Sequence, residues 1–180
     1  MARLFVAVWP PAELVAQLET LPRPPVAGLR WTTRDQWHVT LRFLGDVDGA
    51  AAGAVAGAVA SVAVAWPAPV AARAGPATGR FGHRILYVPV DGLGPLAHAV
   101  AAATAGFGQP PDERPFAGHL TLARARDRAR VDLRPLQGTA LAAGWPVDEL
   151  TLVESRLSPA GARYSVVARS SLPAAGPAPN

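Results

Sequence analysis

His38-Val39-Thr40-Leu41 returns as His119-Leu120-Thr121-Leu122, with the two histidines 81 positions apart (119 − 38). In an extended strand successive side chains face opposite ways. Each motif therefore sets an imidazole beside a hydroxyl on one face, with Val39, Leu41, Leu120 and Leu122 behind. The surroundings repeat as well. Arg3-Leu4-Phe5-Val6-Ala7-Val8 begins 35 residues before the first histidine, and Arg84-Ile85-Leu86-Tyr87-Val88-Pro89 begins 35 before the second. After each comes a stretch that reads as a helix: Pro11 to Leu21, opened by Pro10 and Pro11, and Gly94 to Ala105. Each half is thus strand, helix, histidine-bearing strand, which predicts a duplicated, pseudo-twofold molecule.

The rest of the chain fills in around this plan. Trp31 to Phe43 reads as an approach loop and the first histidine strand, closed by Gly45, and a packed helix follows from Gly49 to Val64 with Asp46 or Asp48 at its start. Val70 to Ala74 and Gly79 to Val90 read as strands that end one half and open the next. Asp148 to Ser158 and Arg163 to Arg169 play the matching parts, joined by a turn at Pro159, Ala160 and Gly161. Gln109 to Pro115 is a loop. At 180 residues the chain can bury an ordinary core. One bilobal domain is expected over residues 1–170, with a flexible tail at 171–180.

Composition removes several chemistries. The absence of cysteine excludes disulfides, thiolate zinc sites and a cysteine nucleophile. All 17 basic residues are arginine, so a Walker-type phosphate loop, a Schiff-base enzyme and a lysine-adenylate ligase are excluded too. The net charge is +4, with Arg124, Arg126, Arg128, Arg130 and Arg134 gathered after the second motif and only partly offset by Asp127 and Asp132. Such a cluster suits a polyanion, since guanidinium forks bind two phosphate oxygens and stay charged. The four histidines offer no close-spaced pair, and His83 and His98 read as surface residues, so no metal is expected. The run Leu4 to Trp9 is too short for a signal peptide, and the uncharged Gly49 to Ala72 is mostly Ala and Gly with Pro67 and Pro69 inside. A cytoplasmic protein with no membrane partner is expected.

These residues resemble those of the two-histidine (2H) phosphoesterases, and within them the LigT/ThpR-type RNA 2′,3′-cyclic phosphodiesterases. Trp31 to Gly45 is similar to the family's first motif and Phe116 to Arg124 to its second. Ser155, Leu157, Gly161 and Tyr164 resemble its closing pattern. Relatives commonly carry proline before the second histidine, where this chain has Gly118, a residue that loosens the backbone. The resemblance implies an α+β fold of two lobes, each a small antiparallel sheet with helices outside, around a central groove. It also implies hydrolysis of RNA 2′,3′-cyclic phosphate ends to a 2′-phosphate, without metal or cofactor, and with ATP-independent 2′,5′ ligation as the same chemistry run onto an alcohol.

Opening the cyclic ester needs one group to take a proton from water and another to give one to the departing oxygen. Histidine, with an unperturbed pKa near 6.5, supplies both forms around neutrality. The motifs are chemically equivalent, so only the resemblance makes His38 the acid and His119 the base. Thr40 and Thr121 are candidate donors to the phosphoryl oxygens. Arg124 corresponds to a family arginine that contacts phosphate, although strict alternation puts it on the face opposite His119. A bulge or strand end must turn it inward. Arg42 falls on the His38 face by the same alternation and is a second candidate phosphate ligand. Phe5, Trp31 and Tyr87 could stack a base, with core packing the simpler account. RNA ends or nucleoside cyclic phosphates are the expected partners of a monomer. A 2H enzyme for another small cyclic or 2′,5′-linked nucleotide and a non-catalytic RNA-end binder are the alternatives.

Overall fold

A computed structural model describes residues 1–126, 129–158 and 161–173. Strand β1 (Ala2–Val8) lies between β3 (Val39–Val47) and β9 (Glu149–Ser158), and β9 pairs on its other side with β10 (Gly161–Ser171). The second array is built from β7 (His119–Ala125), β6 (Ile85–Asp91), β4 (Val70–Ala74) and β8 (Ala143–Val147), in that order. Short strands β2 (Leu29–Trp31) and β5 (Gly79–Phe81) add to β7 and β6. All these pairings are antiparallel, and the arrays meet at one residue pair, Val39 with Leu120. The α+β, two-lobed architecture expected from the resemblance is present. Its sheets, however, are joined into one curled surface.

The repeat is closed by exchange. β4 belongs to the first half of the chain yet pairs with β6 of the second, while β9 of the second half pairs with β1 of the first. Neither half could complete its own sheet alone. The opening strands also slip relative to the motifs. Ala7 pairs with Thr40, and Tyr87, not Val88, pairs with Thr121, so β1 and β6 are related by 80 residues and the histidines by 81. Side chains alternate with period two, so an offset of 81 would have turned one strand inside out. The slip keeps Phe5, Ala7 and Trp9 on the histidine face, as it keeps Ile85, Tyr87 and Pro89.

The apolar run Leu4 to Val8 is buried on both faces, as its continuous hydrophobicity demands. Leu4, Val6 and Val8 enter the main core with Leu14 and Leu18 of α1 (Ala12–Thr20), Val55, Val59 and Ala63 of α2 (Ala52–Ala65) and Leu96, Ala97 and Val100 of α3 (Gly94–Ala103). Phe5 and Ala7 join Val153 on the other face. A 3₁₀ turn at Gly49–Ala51 precedes α2, and Asp48, not Asp46, caps that turn by accepting the Ala50 N–H at 3.2 Å, while α2 itself follows Ala51 with no side-chain cap. β3 runs through Gly45 to Val47 instead of stopping at the glycine. Ser171 belongs to β10 and Leu172 is buried, its N–H bonded to the Asp148 carbonyl at 2.7 Å, so the expected tail does not begin at 171. Residues 174–180, Asp127, Arg128, Pro159 and Ala160 lie outside the described residues. Among those described, no helix is long and apolar enough to cross a membrane.

Candidate active site

The seam pair Val39 and Leu120 sits between the histidines. Continuing its register by one residue each way sets His38 opposite Thr121 and Thr40 opposite His119. The two motifs are thus interleaved about a local twofold. His38 Nδ1 lies 2.9 Å from the Gln36 carbonyl, and His119 Nδ1 lies 2.8 Å from the Ala117 carbonyl, two residues back in each case. A carbonyl only accepts, so both Nδ1 atoms carry hydrogen and donate, and each Nε2 is left as the atom that exchanges protons.

A buried chain of hydrogen bonds ties one motif to the other. Trp37, next to His38 and 1 % exposed, donates from Nε1 to Thr32 Oγ1 at 3.0 Å. The Thr32 hydroxyl stands 2.8 Å from the carbonyls of both Thr121 and Leu122 and donates to this pair. Around His38 the rings of Phe5, Tyr164 and Trp9 lie at 4.8, 5.0 and 5.5 Å. His119 is flanked by Phe81 at 5.0 Å and Tyr87 at 5.6 Å. Phe5 and Tyr87 therefore wall the histidines, while Trp31 points elsewhere and donates to the Pro24 carbonyl.

One kind of bulge explains both arginines. In β3 the register passes from Thr40 to Arg42 across successive residues of β1, and in β7 it passes from Thr121 to Ala123 across successive residues of β6. Leu41 and Leu122 are the extra residues, and alternation inverts beyond each. Arg124 is thereby turned to the groove face, where Nη2 donates to Thr121 Oγ1 at 3.3 Å. The same inversion removes Arg42 from that face and puts Phe43 there instead. Arg42 is 5 % exposed and donates to the carbonyls of Phe43, Gln109 and Pro110, so it is not placed as a phosphate ligand. Burial lowers its pKa.

Gly118 is clamped and not loosened. A Cβ there would come within 2.3 Å of the Val90 carbonyl oxygen, and the Val90 N–H donates to the Gly118 carbonyl at 2.8 Å. His83 and His98 are exposed, in the β5–β6 turn and on α3. Arg126 and Arg130 are exposed as well, and Arg134 is paired with Asp132 at 2.9 Å.

The sequence did not single out Arg30. It pairs directly opposite Arg124 across β2 and β7, close enough for its charge to lower the Arg124 pKa. Its guanidinium occupies the space over Gly161, whose φ is +119° and whose Cβ would lie 1.7 Å from Nη1. Gly161→Ala should therefore displace Arg30 and strain the turn together, lowering kcat/KM about tenfold, the scale of a charge-assisted hydrogen bond. Unchanged kinetics in that variant would remove Arg30 from the site.

Burial pushes the His38 pKa down to about 4, against the Gln36 carbonyl, which favours the charged ring; Arg124 and His119 lower it further. His119 is also lowered, by burial first and by Arg124, with the Ala117 carbonyl opposing. Burial lowers Arg124 too, Tyr164 opposing and Arg30 adding to it. Tyr164 is raised by burial. The sign for stability follows: between pH 6.5 and about 4 the unfolded chain takes a proton that folded His38 refuses. Stability should fall by on the order of 3 kcal/mol as pH drops through that window. His38→Asn should flatten the decline in denaturant titrations; an equally steep decline would contradict the burial.

The model of the 2′-5′ RNA ligase superfamily matches residues 9–158. The chain belongs to this superfamily, the two-histidine phosphoesterases. Among solved structures, TT0787 of Thermus thermophilus is 31% identical over 94% of this chain and 97% of that one, with a TM-score of 0.79. LigT of Escherichia coli, crystallised with 3′-AMP, is 27% identical over 95% of this chain and 98% of its own, with a TM-score of 0.71. The MHV ns2 PDE domain, at 18% identity and a TM-score of 0.55, shares the fold. No curated protein matches. The interleaved histidines, both walled by aromatic rings, are the part of this superfamily member on which a functional reading rests.

Proposed function

We propose that the chain hydrolyses RNA 2′,3′-cyclic phosphate ends to 2′-phosphates, with His38 as acid, His119 as base and no metal in the scheme. The observation that carries the reading is the matched pair of imidazoles, each with Nδ1 committed to a backbone carbonyl and Nε2 free for proton exchange. Water gives its proton to His119 Nε2 as its oxygen bonds to phosphorus. The bond from phosphorus to the 3′ oxygen breaks, and that oxygen takes the proton from His38 Nε2. Arg124, Thr40 and Thr121 hold the non-bridging oxygens. Exchange with solvent then returns one proton to His38 and removes one from His119. LigT has also been crystallised with phosphate, the same anion chemistry.

His38 reaches its charged form when the bound phosphate anion supplies a counter-charge. In the free enzyme both imidazoles titrate below 6.5. Since kcat/KM reports free-enzyme groups, it should peak below about pH 6.5 and fall tenfold per unit above the peak, while kcat peaks at higher pH. The decisive experiment is turnover of a cyclic-phosphate dinucleotide in EDTA, followed by phosphorus NMR to identify the phosphate end. No turnover, or a kcat/KM flat from pH 6 to 9, would remove this assignment.

A further inference from the structure

Two cavities flank the histidines, one against the carbonyl partner of each ring. One of about 410 Å³ is lined by Phe81, Tyr87, Asp91, Phe116, Gly118 and Ala117, the carbonyl partner of His119. The other, about 420 Å³, is lined by Thr33, Asp35, Arg163, Tyr164 and Gln36, the carbonyl partner of His38. Both volumes lie in the range of small-ligand sites. A mononucleoside cyclic phosphate has one base to place. Phosphorus linking two nucleosides has one on either side, as this groove has one cavity beside each imidazole.

Resting on the function proposed above, we infer that the cavity beside His119 is a nucleobase site for the nucleoside whose 5′ oxygen His119 serves, with guanine the base that fits it best. Phe81 and Phe116 are 38 % and 36 % exposed, large apolar faces that are left in water unless a flat partner covers them. Phe81 is stacked on Tyr87 at 4.1 Å and 18°, a flat surface reaching toward His119. Aromatic faces of this kind stack bases. Asp91 is exposed on the wall, and its carboxylate only accepts hydrogen bonds. Guanine offers it two adjacent donors, N1–H and the 2-amino group; uracil offers one. The reaction in this direction balances as hydrolysis does. The 5′-hydroxyl gives its proton to His119 and bonds to phosphorus, and the departing 3′ oxygen takes a proton from His38, leaving a 2′,5′ linkage. Cleavage of that linkage is the reverse.

The test is steady-state cleavage of four 2′,5′-linked dinucleoside monophosphates, with adenosine on the 2′ side and each base on the 5′ side, beside hydrolysis of 2′,3′-cyclic AMP. The wild-type chain should prefer guanine over uracil about tenfold in kcat/KM, the scale of one bidentate contact. Phe116→Ala should raise the dinucleotide KM about tenfold and leave cyclic AMP hydrolysis in place. Asp91→Asn should level the preference for guanine. Failure to cleave the dinucleotides, cleavage indifferent to the 5′ base, or equal losses on both substrates in Phe116→Ala would overturn the inference while cyclic AMP hydrolysis persists. Absence of that hydrolysis in the wild-type chain would overturn the function on which it rests.

Discussion

If the proposed reaction is the right one, replacing His38 or His119 with alanine should lower turnover of a 2′,3′-cyclic phosphate by about a thousandfold each, within the usual range for a positioned acid or base. The reason is geometric. Each ring holds one nitrogen on a carbonyl and leaves the other at the groove, so no neighbouring side chain can assume its task. Both rings are half-buried at strand starts, outside the main core, and the fold should survive their loss. The double variant should lose little more than either single one, because the two act on one transition state. Circular dichroism and cyclic-phosphate kinetics on all three variants check this. A near-normal rate in either single variant would end the two-histidine mechanism.

Arg42→Ala should produce the opposite pattern, a large loss of stability with chemistry retained. Its guanidinium gathers the Phe43, Gln109 and Pro110 carbonyls under the loop before β7, and the Gln109 N–H returns to the Leu44 carbonyl at 2.8 Å. The Gln109 side chain covers Gly45, where a Cβ would meet it at 2.9 Å. Removing the arginine deletes three hydrogen bonds from a charged donor to part-buried carbonyls, at a cost of about 3 kcal/mol. That corresponds to a fall in Tm of about 10 °C for a chain of this size. Below the transition kcat/KM should stay within about threefold of wild type. A hundredfold loss in the folded variant, read by calorimetry beside kinetics, would return Arg42 to the groove.

The contrast between Arg42 and Arg124 marks where sequence reasoning stops. Alternation assigns each residue a face only while the ladder is regular, and one extra residue, Leu41 or Leu122, reverses the assignment beyond it. Nothing in either side chain announces that leucine as the bulge. For Arg124 the family resemblance supplied the missing turn; for Arg42 nothing did. Arg30 was illegible for another reason, since its place opposite Arg124 comes from pairing between β2 and β7, strands far apart in the chain. The helices at Ala12–Thr20 and Gly94–Ala103 were readable because a proline at each start and apolar residues at helical spacing, Leu14 with Leu18 and Leu96 with Val100, are local signals.

Repetition, local propensity and composition determined that this protein has two matched lobes, a histidine and a threonine from each, and no lysine or cysteine chemistry. These are properties of short stretches and survive being read in a line. Tertiary structure alone decided that each half lends its closing strand to the other lobe, that the opening strands slip by one residue, and that the motifs interleave at Val39 and Leu120. The physical reason is that strand pairing is a contact between distant residues. Its register is chosen by whichever arrangement buries the most apolar faces at once, and no local stretch carries that sum.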